Sequence, residues 1–159
     1  MFADAQKRPS PSALFALKHP ENGDQSLMDA LVELHGARWQ SRGERGMIEA
    51  NRSAGFLRDI VRRFSARGMV RFFCLRSGCR VVAIILGFLF RGRVFGYLNG
   101  FDPGYRELSL GQLLLYHSLR HSYERSLREW CFLRGCEPYK FEFGAQPVPR
   151  CRLVIRRET

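Results

Sequence analysis

The pattern of apolar and polar positions changes character once along the chain, near Gly68. Before that point apolar residues recur at helical spacing. Leu27, Ala30, Leu31 and Leu34, followed by Arg38-Trp39, make one such series, and Phe56, Leu57, Ile60, Val61 and Phe64 make a second. Residues three and four apart share a face of a helix, so the spacing predicts two amphipathic helices. Ser26 is placed as the first N-cap, with Asp29 three residues on in a capping-box position, and Arg42-Gly43 marks the exit. The second helix is predicted from about Asn51 or Ser53 to Ala66, with Gly68 as its C′ residue. Arg58, Arg62 and Arg63 occupy much of its other side, which reads most simply as a solvated face.

After Gly68 the runs 69–76, 80–90 and 93–99 are rich in Val, Ile, Phe and Leu, and Ser77-Gly78 and Arg91-Gly92 separate them at hairpin distance. This predicts a three-stranded antiparallel meander. Its middle member is apolar on both faces and is therefore central. Gly100-Phe101-Asp102-Pro103-Gly104 closes the third strand. A helix opened by Leu108-Ser109-Leu110-Gly111-Gln112 is expected to run to about Arg125, with Leu113, Leu114, Tyr116, His117 and residues 119–123 on its buried side. A short strand follows at 130–133. After Gly144 and the break at Pro147 and Pro149, a last strand is expected at 151–155. The order is α-α-β-β-β-α-β-β and the fold class α/β (α+β): a mixed, mainly antiparallel central sheet flanked by helices. Residues 1–25 show no sustained period and read as a poorly ordered lead-in. The remaining 26–159 form a single domain, since 159 residues suffice for one full core but not two of ordinary size.

Charge narrows the choice of ligands. Lys+Arg number 26 against 15 Asp+Glu, a formal net charge of +11. Such a surface attracts polyanions: nucleic acid, an anionic membrane face or a phosphorylated cofactor. Only Lys7, Lys18 and Lys140 are lysines. Arginine favours planar, bidentate recognition of phosphate and carboxylate, although GC-rich coding produces the same bias. The five cysteines, an odd number without a secretory signal, point to thiols in a cytoplasmic compartment. Cys74/Cys79 and Cys131/Cys136 share a C-x4-C spacing, wider than the usual zinc knuckle, and His117 and His121 lack the glutamate of a metalloprotease helix, so no metal is expected. The longest apolar run, 81–90, is ten residues bracketed by Arg80 and Arg91, too short to cross a bilayer.

Candidate chemistry gathers in two places. Phe132-Leu133-Arg134-Gly135-Cys136-Glu137-Pro138-Tyr139-Lys140 places a cation, a carboxylate, a phenol and an amine directly after a strand-like run. A solvated turn with a surface ion pair would look the same. The second is the start of the helix at Ser109-Leu110-Gly111. The first amides of a helix have no internal partner and the macrodipole favours an anion there. Ser109 is placed as its cap, and Gly111 as the residue that lets a phosphate approach the backbone.

Taken in order, these segments resemble the GNAT superfamily of N-acetyltransferases, in its Fem-like, CelD-like branch of cellulose-biosynthesis-type domains. Leu34-His35-Gly36-Ala37-Arg38-Trp39 with Arg42-Gly43 resembles that branch's "L-H-x-x-R-W…R-G" helix. Phe56 and Gly68, then Gly78, Val82-Ala83 and Leu86-Gly87, resemble its second helix and first hairpin. Leu98-Asn99-Gly100-Phe101-Asp102-Pro103 resembles its "G-F-D-P" strand exit, and Ser109-Leu110-Gly111 with Leu113-Leu114 its "S-P-G-x-x-L" helix start. Phe132-Leu133-Arg134-Gly135, Glu137, Tyr139 and Lys140 resemble its "D-F-L-R-G-D-E-x-Y-K" signature. The likeness covers roughly residues 25–145. Cys131 and Cys136 stand where the branch usually has acidic residues, and Leu110 where it has proline; if those acids position an acceptor or a cation, activity is altered.

The resemblance implies transfer of an acyl group from acetyl-coenzyme A, or another acyl-coenzyme A, to an unknown amine acceptor, in polysaccharide or cell-envelope metabolism. It assigns the amides of Ser109, Leu110, Gly111 and Gln112 to the pyrophosphate. It makes Glu137 the general base and Tyr139 the donor to the departing thiolate, or a residue orienting the acceptor. Arg134 and Lys140 bind an acidic acceptor or cofactor phosphate, and Asp102 shapes the acceptor side. It also implies a chain holding only the second half of a two-domain relative, or a homo-oligomer. Two other readings stay open: a basic RNA- or tRNA-binding module, and a catalytically silent structural remnant.

Overall fold

The computed structural model describes residues 25–43, 48, 52–149 and 154–155. Helices α1 (Gln25–Gln40) and α2 (Arg52–Ser65) precede three long strands, β1 (Val70–Ser77), β2 (Arg80–Phe90) and β3 (Arg93–Phe101). A 3-10 segment (Pro103–Leu108) leads into α3 (Leu110–Glu124), followed by the short β4 (Glu129–Cys131) and the single-turn helix α4 (Pro138–Glu142). The strands form one sheet in the order β1-β2-β3-β4, antiparallel except for the β3–β4 pair, which is parallel. The mixed sheet and its helices match the fold expected from sequence. The element order differs at its end. The segment after β4 becomes α4, residues 151–153 of the expected last strand lie outside the described residues, and Val154 and Ile155 are exposed and belong to no strand.

The meander forms because two-residue turns with positive φ match the right-handed twist of the flanking strands. Gly78 (φ 59°) serves the first, and Arg91 and Gly92 (φ 50° and 74°) the second. β2 is buried at six consecutive positions because it is covered on both faces. On one face Phe72, Cys74, Ile84, Leu86 and Leu98 pack with Leu27, Met28, Leu31 and Leu34 of α1 and Leu57 and Val61 of α2. On the other, Phe73, Leu75, Ala83, Ile85 and Val94 pack with Leu110, Leu114 and Leu115 of α3.

The helix ends follow local chemistry closely. The Gly68 amide donates to the Ser65 carbonyl and the Met69 amide to that of Phe64, a complete Schellman motif with Gly68 at C′ as predicted. Other details needed correction. α1 begins at Gln25, so Ser26 lies inside it, and Asp29 pairs with Arg58 of α2 at 2.6 Å. Phe56, placed in the apolar stripe of α2, is exposed. Tyr116 and Tyr123, placed on the buried side of α3, are exposed as well. Ser118 is buried beside Ser122, which was expected on that side, and their hydroxyls donate to the carbonyls one turn back, of Leu114 and Ser118, at 2.7 and 2.8 Å. Small residues so satisfied let α3 lie close on the sheet.

Two close approaches fix the region of interest. α1 crosses β3 at Gly100, where an added Cβ would stand 2.6 Å from the His35 amide nitrogen and 2.8 Å from the Leu34 carbonyl carbon. β3 and β4 share only three register pairs, Arg93↔Glu129, Val94↔Trp130 and Phe95↔Cys131. Immediately beyond, the β2–β3 register shifts so that Leu86 faces Leu98 but Gly87 faces Gly96, a bulge at Tyr97. A bulge bends its strand and sharpens its twist. β3 therefore parts from β4, and residues 96–101 keep one edge outside the β3–β4 ladder.

Candidate active site

Where β3 leaves β4, four elements converge: the end of α1, the end of β3, the start of α3, and the 132–140 segment with α4. The sequence pointed to three of these, and several side chains there have partners that it did not suggest.

Lys140 is the clearest case. Its side chain is only 6% exposed. The ammonium donates toward the carbonyls of Arg134 at 2.7 Å, Phe132 at 3.2 Å and Gly135 at 3.4 Å, and pairs with Glu137 at 2.8 Å. An ammonium has three protons, and these four acceptors engage all of them. Lys140 is thus a clamp that ties up the 132–137 loop rather than a substrate-binding cation. The loop needs such a clamp because Leu133 (φ 59°) and Gly135 (φ 107°) are both held at positive φ.

Glu137, the expected general base, is half exposed and engaged by Lys140. The hydrogen bond from Lys140, with help from Glu137's own backbone amide, holds its carboxyl below the usual carboxylate range. It is ionised at neutral pH, but its partner weakens it as a proton acceptor. Arg134 is exposed and contributes its carbonyl to the clamp. Tyr139 is half-buried, its ring set edge-on to Phe132 at 6.4 Å. Burial pushes its phenol up, opposed by Lys140 and by Arg38. It stays protonated well above neutral pH.

Asp102 is also employed structurally. It caps the 3-10 segment by accepting from the Gly104 amide at 2.9 Å and pairs with Arg80 at 3.0 Å, its side chain 15% exposed. Ser109 does not cap α3 through its side chain. It sits in left-handed backbone (φ 47°), with its amide donating to Arg106, while the Gln112 and Leu113 amides turn back to the Ser109 carbonyl. Of the amides of Ser109, Leu110, Gly111 and Gln112, those of Leu110 and Gly111 remain without a backbone acceptor among the described residues. Leu110's side chain is core. Gly111 faces the Phe101 ring, which a Cβ would meet at 3.3 Å. The glycine thus serves contact between helix and strand, and a phosphate would meet two amides rather than four.

The end of α1 holds a cluster that sequence reasoning quoted for its pattern but did not assign to the site. His35, 3% exposed, bonds through Nδ1 to the Asn99 carbonyl at 2.8 Å. A carbonyl only accepts, so the proton is on Nδ1 and the lone pair on Nε2. Nε2 is buried with no partner among the described residues. Arg38 donates to the Asn99 side-chain oxygen. Its guanidinium carbon lies 4.8 Å from the centre of the Phe101 ring and 5.6 Å from that of Trp39. Arg38 Nε and Trp39 Nε1 are likewise buried and without a partner among the described residues. The available signal was a histidine, an arginine and a tryptophan within one turn and a half of an otherwise apolar helix face.

Burial, opposed by the bond to Asn99 and aided by Arg38, lowers the His35 pKa. The imidazole is therefore neutral in the folded protein at pH values where an unfolded chain already takes up a proton. Stability falls as pH drops through the ordinary histidine value and stops falling on this account below the lower folded value. Replacing His35 by Asn, which keeps a donor toward Asn99, should flatten this part of the stability–pH curve. Thermal midpoints at pH 7.5 and 5.5 for both proteins check it.

Several features lie apart from the convergence. A concavity lined by Gln25, Met28, Arg58, Asp59, Val61 and Arg62 sits between the starts of α1 and α2. Its two arginines are already paired, with Asp29 and Asp59. Among the described residues no three His, Cys, Asp or Glu gather as a metal site, and no helix is long and apolar enough to cross a membrane. Cys74, Cys79, Cys131 and Cys136 are not in disulfides, and His121 packs against Phe73 rather than facing a ligand cluster.

The same fold recurs in solved structures. A GCN5-related N-acetyltransferase from Ralstonia eutropha JMP134 superposes with a TM-score of 0.65 at 17% identity, over 89% of this chain and 98% of that one. A predicted acetyltransferase with acetyl-CoA from Clostridium acetobutylicum gives 0.64 at 10%, over 89% and 95%. An aminoglycoside acetyltransferase from an uncultured soil metagenomic sample, in complex with sisomicin, gives 0.60 at 13%, over 93% and 97%. At such identities these likenesses speak for the fold. No curated protein matches. The family model described as "Acetyltransferase (GNAT) domain" matches residues 14–141, most of the chain and all four converging elements, and the protein belongs to the GNAT acetyltransferase family.

Proposed function

We propose that the protein is an acyl-coenzyme A-dependent N-acyltransferase, with acetyl-coenzyme A as the first candidate donor and an amine as acceptor. The observation that carries this reading is the parting of β3 from β4. It leaves residues 96–101 outside the β3–β4 ladder, with the Asn99 carbonyl already taken by His35, and the strand end at Phe101 lies against Gly111 at the start of α3. A thioester arm carrying amides can pair with an open strand edge as an added strand would, while its pyrophosphate meets a helix start. The formal charge of +11 favours so anionic a co-substrate.

In the reaction the amine nitrogen attacks the thioester carbonyl carbon, the carbon–sulfur bond breaks, and the sulfur leaves as a thiolate. Tyr139, held protonated by burial, is suited to donate to that thiolate. The amine's proton must go elsewhere. Glu137 takes it through water, as a weak base, because its carboxylate is already bonded to Lys140. The Fem-like, CelD-like assignment, with a polysaccharide or cell-envelope acceptor, rests on the ordered motifs from His35 to Lys140. A cytoplasmic location accords with that chemistry, since acyl-coenzyme A is made and used there. The RNA-binding alternative is weakened on α2, where Arg58 and Arg62 already have carboxylate partners.

Acetyl-coenzyme A should raise the thermal midpoint, by about 3 kcal/mol of added stability at a hundred times its Kd. An amine panel should consume the thioester, with free thiol as the readout. A protein whose midpoint ignores acetyl-coenzyme A, and which releases no thiol with any amine, is not this enzyme. A midpoint raised instead by tRNA, steeply weakened by salt, would favour the RNA-binding reading.

A further inference from the structure

Arg38 is a half-buried cation with no carboxylate partner among the described residues. The groups acting on it are Arg42 and the Tyr139 phenol, it acts in turn on His35, and burial outweighs all of them in lowering its pKa. None of these is a carboxylate. Among the described residues the hydrogen-bond partner of its guanidinium is a neutral amide oxygen, that of Asn99. Buried charges are ordinarily paired, because removing an ion from water costs more than a neutral contact returns. Arginines elsewhere show the usual arrangement and have a carboxylate partner, among them Arg58 with Asp29, Arg80 with Asp102 and Arg93 with Glu129. The α1 C-terminus supplies part of the missing negative charge, but it gives Arg38 Nε and Trp39 Nε1 no acceptor.

The position of Arg38 says where a partner would come from. α1 lies on one face of the sheet, and Phe101 and Tyr139 pack into the core of the other. The guanidinium reaches both across the gap left where β3 leaves β4. Arg38 and Gly111 both lie against the Phe101 ring, Arg38 from α1 and Gly111 from the start of α3, so an anion held by Arg38 is placed beside, not upon, the first amides of α3.

The geometry points to Arg38, with the Trp39 N–H beside it, as the anchor for an anionic group on the acceptor: a carboxylate or phosphate carried by the molecule whose amine is acylated. This deepens the acyltransfer reading and rests on it. Two neighbouring donors left without acceptors among the described residues call for an oxyanion, whose oxygens can accept from both. The His35–Asn99 and Asn99–Arg38 bonds fix the guanidinium before the substrate arrives, so the acceptor orders little on binding. The specificity follows: an amine without a negative group leaves a desolvated cation unpaired.

The test uses matched amines and calorimetric binding in the presence of coenzyme A. β-Alanine is compared with β-alaninamide, and 2-aminoethyl phosphate with ethanolamine. The wild-type protein should bind the anionic member of a pair at least about tenfold more tightly, the scale of a charge-assisted hydrogen bond. Arg38→Gln should abolish that preference and Trp39→Phe should reduce it severalfold, both with coenzyme A affinity unchanged. Equal binding of both members of every pair by the wild type, or a preference surviving in Arg38→Gln, overturns the inference. Weakened coenzyme A binding in Arg38→Gln, with the preference intact, assigns Arg38 to the cofactor's phosphates and overturns it too. If coenzyme A itself produces no shift in midpoint, the acyltransfer reading falls instead, and the two failures are distinguishable.

Discussion

Replacing Gly100 by alanine is expected to be the most damaging single methyl group that can be added to this protein. The new Cβ would lie 2.6 Å from the His35 amide nitrogen, 2.8 Å from the Leu34 carbonyl carbon and 2.9 Å from the Leu34 Cβ. Two of those atoms are helix backbone, so no rotamer change relieves the clash. α1 would have to lift from β3, drawing Leu27, Leu31 and Leu34 out of contact with Leu86 and Leu98. Overpacking a core commonly costs about 1–3 kcal/mol when side chains can adjust, and a backbone collision belongs at or above the upper end. In a domain of this size that is a fall in thermal midpoint of roughly 10 °C. The same shift would pull His35 and Arg38 away from Asn99, so coenzyme A-dependent turnover should fall with stability. A Gly100→Ala protein with the wild-type midpoint would mean that α1 does not sit where it is described.

The second large effect is expected at Lys140. Methionine in its place keeps much of the side chain's length but none of its protons. The Arg134 carbonyl loses its partner outright, those of Phe132 and Gly135 lose weaker contacts, and the Glu137 carboxylate loses its cation. Water can reach part of this loop, and Glu137 is half exposed, so the loss is less than for a fully enclosed ion pair. An unsatisfied buried acceptor costs about 1–3 kcal/mol, and a total near 3 kcal/mol is expected. With the clamp gone, Leu133 and Gly135 have no reason to hold positive φ, and the 132–137 loop should relax. Lys140→Arg tests the cause, since it restores charge but not the compact three-proton head. If Lys140→Arg is as stable as the wild type, charge alone suffices and the ammonium geometry is not what holds the loop. Glu137→Gln should leave most stability intact at neutral pH. It should also remove a small pH dependence, because a carboxyl whose pKa is lowered on folding contributes stability above its unfolded value and loses it as pH falls through the folded one.

These two residues show how the sequence could be read and misread. Gly100 and Lys140 were both legible as parts of ordered motifs, but the motif did not say what each does. The density of charge in residues 132–140 suggested a binding surface. Much of it is turned inward or onto itself, because a loop with two positive-φ residues needs internal partners more than the substrate does. Glu137 and Lys140 carry chemistry by type and are occupied by geometry. The cluster at His35, Arg38 and Trp39 went the other way. A polar interruption of an apolar helix face is an ambiguous signal, and only the crossing of α1 over β3 shows that these side chains meet Asn99, Phe101 and Tyr139.

What the sequence determined by itself was local in origin. Helical spacing in residues 25–65, the runs of β-branched and aromatic residues in 69–99, and glycines where the backbone must turn left-handed specify the two helices, the meander and most element ends. These depend on neighbours a few positions apart, and the chain carries that information in order. The tertiary structure alone decided which polar groups are left unpartnered, where β3 parts from β4, and which charges are already paired. The parting of the strands and the meeting of Arg38 with Phe101 depend on residues tens of positions apart in sequence, and even the clamp from Lys140 onto a loop five to eight residues earlier depends on how that loop folds back, which no local pattern records.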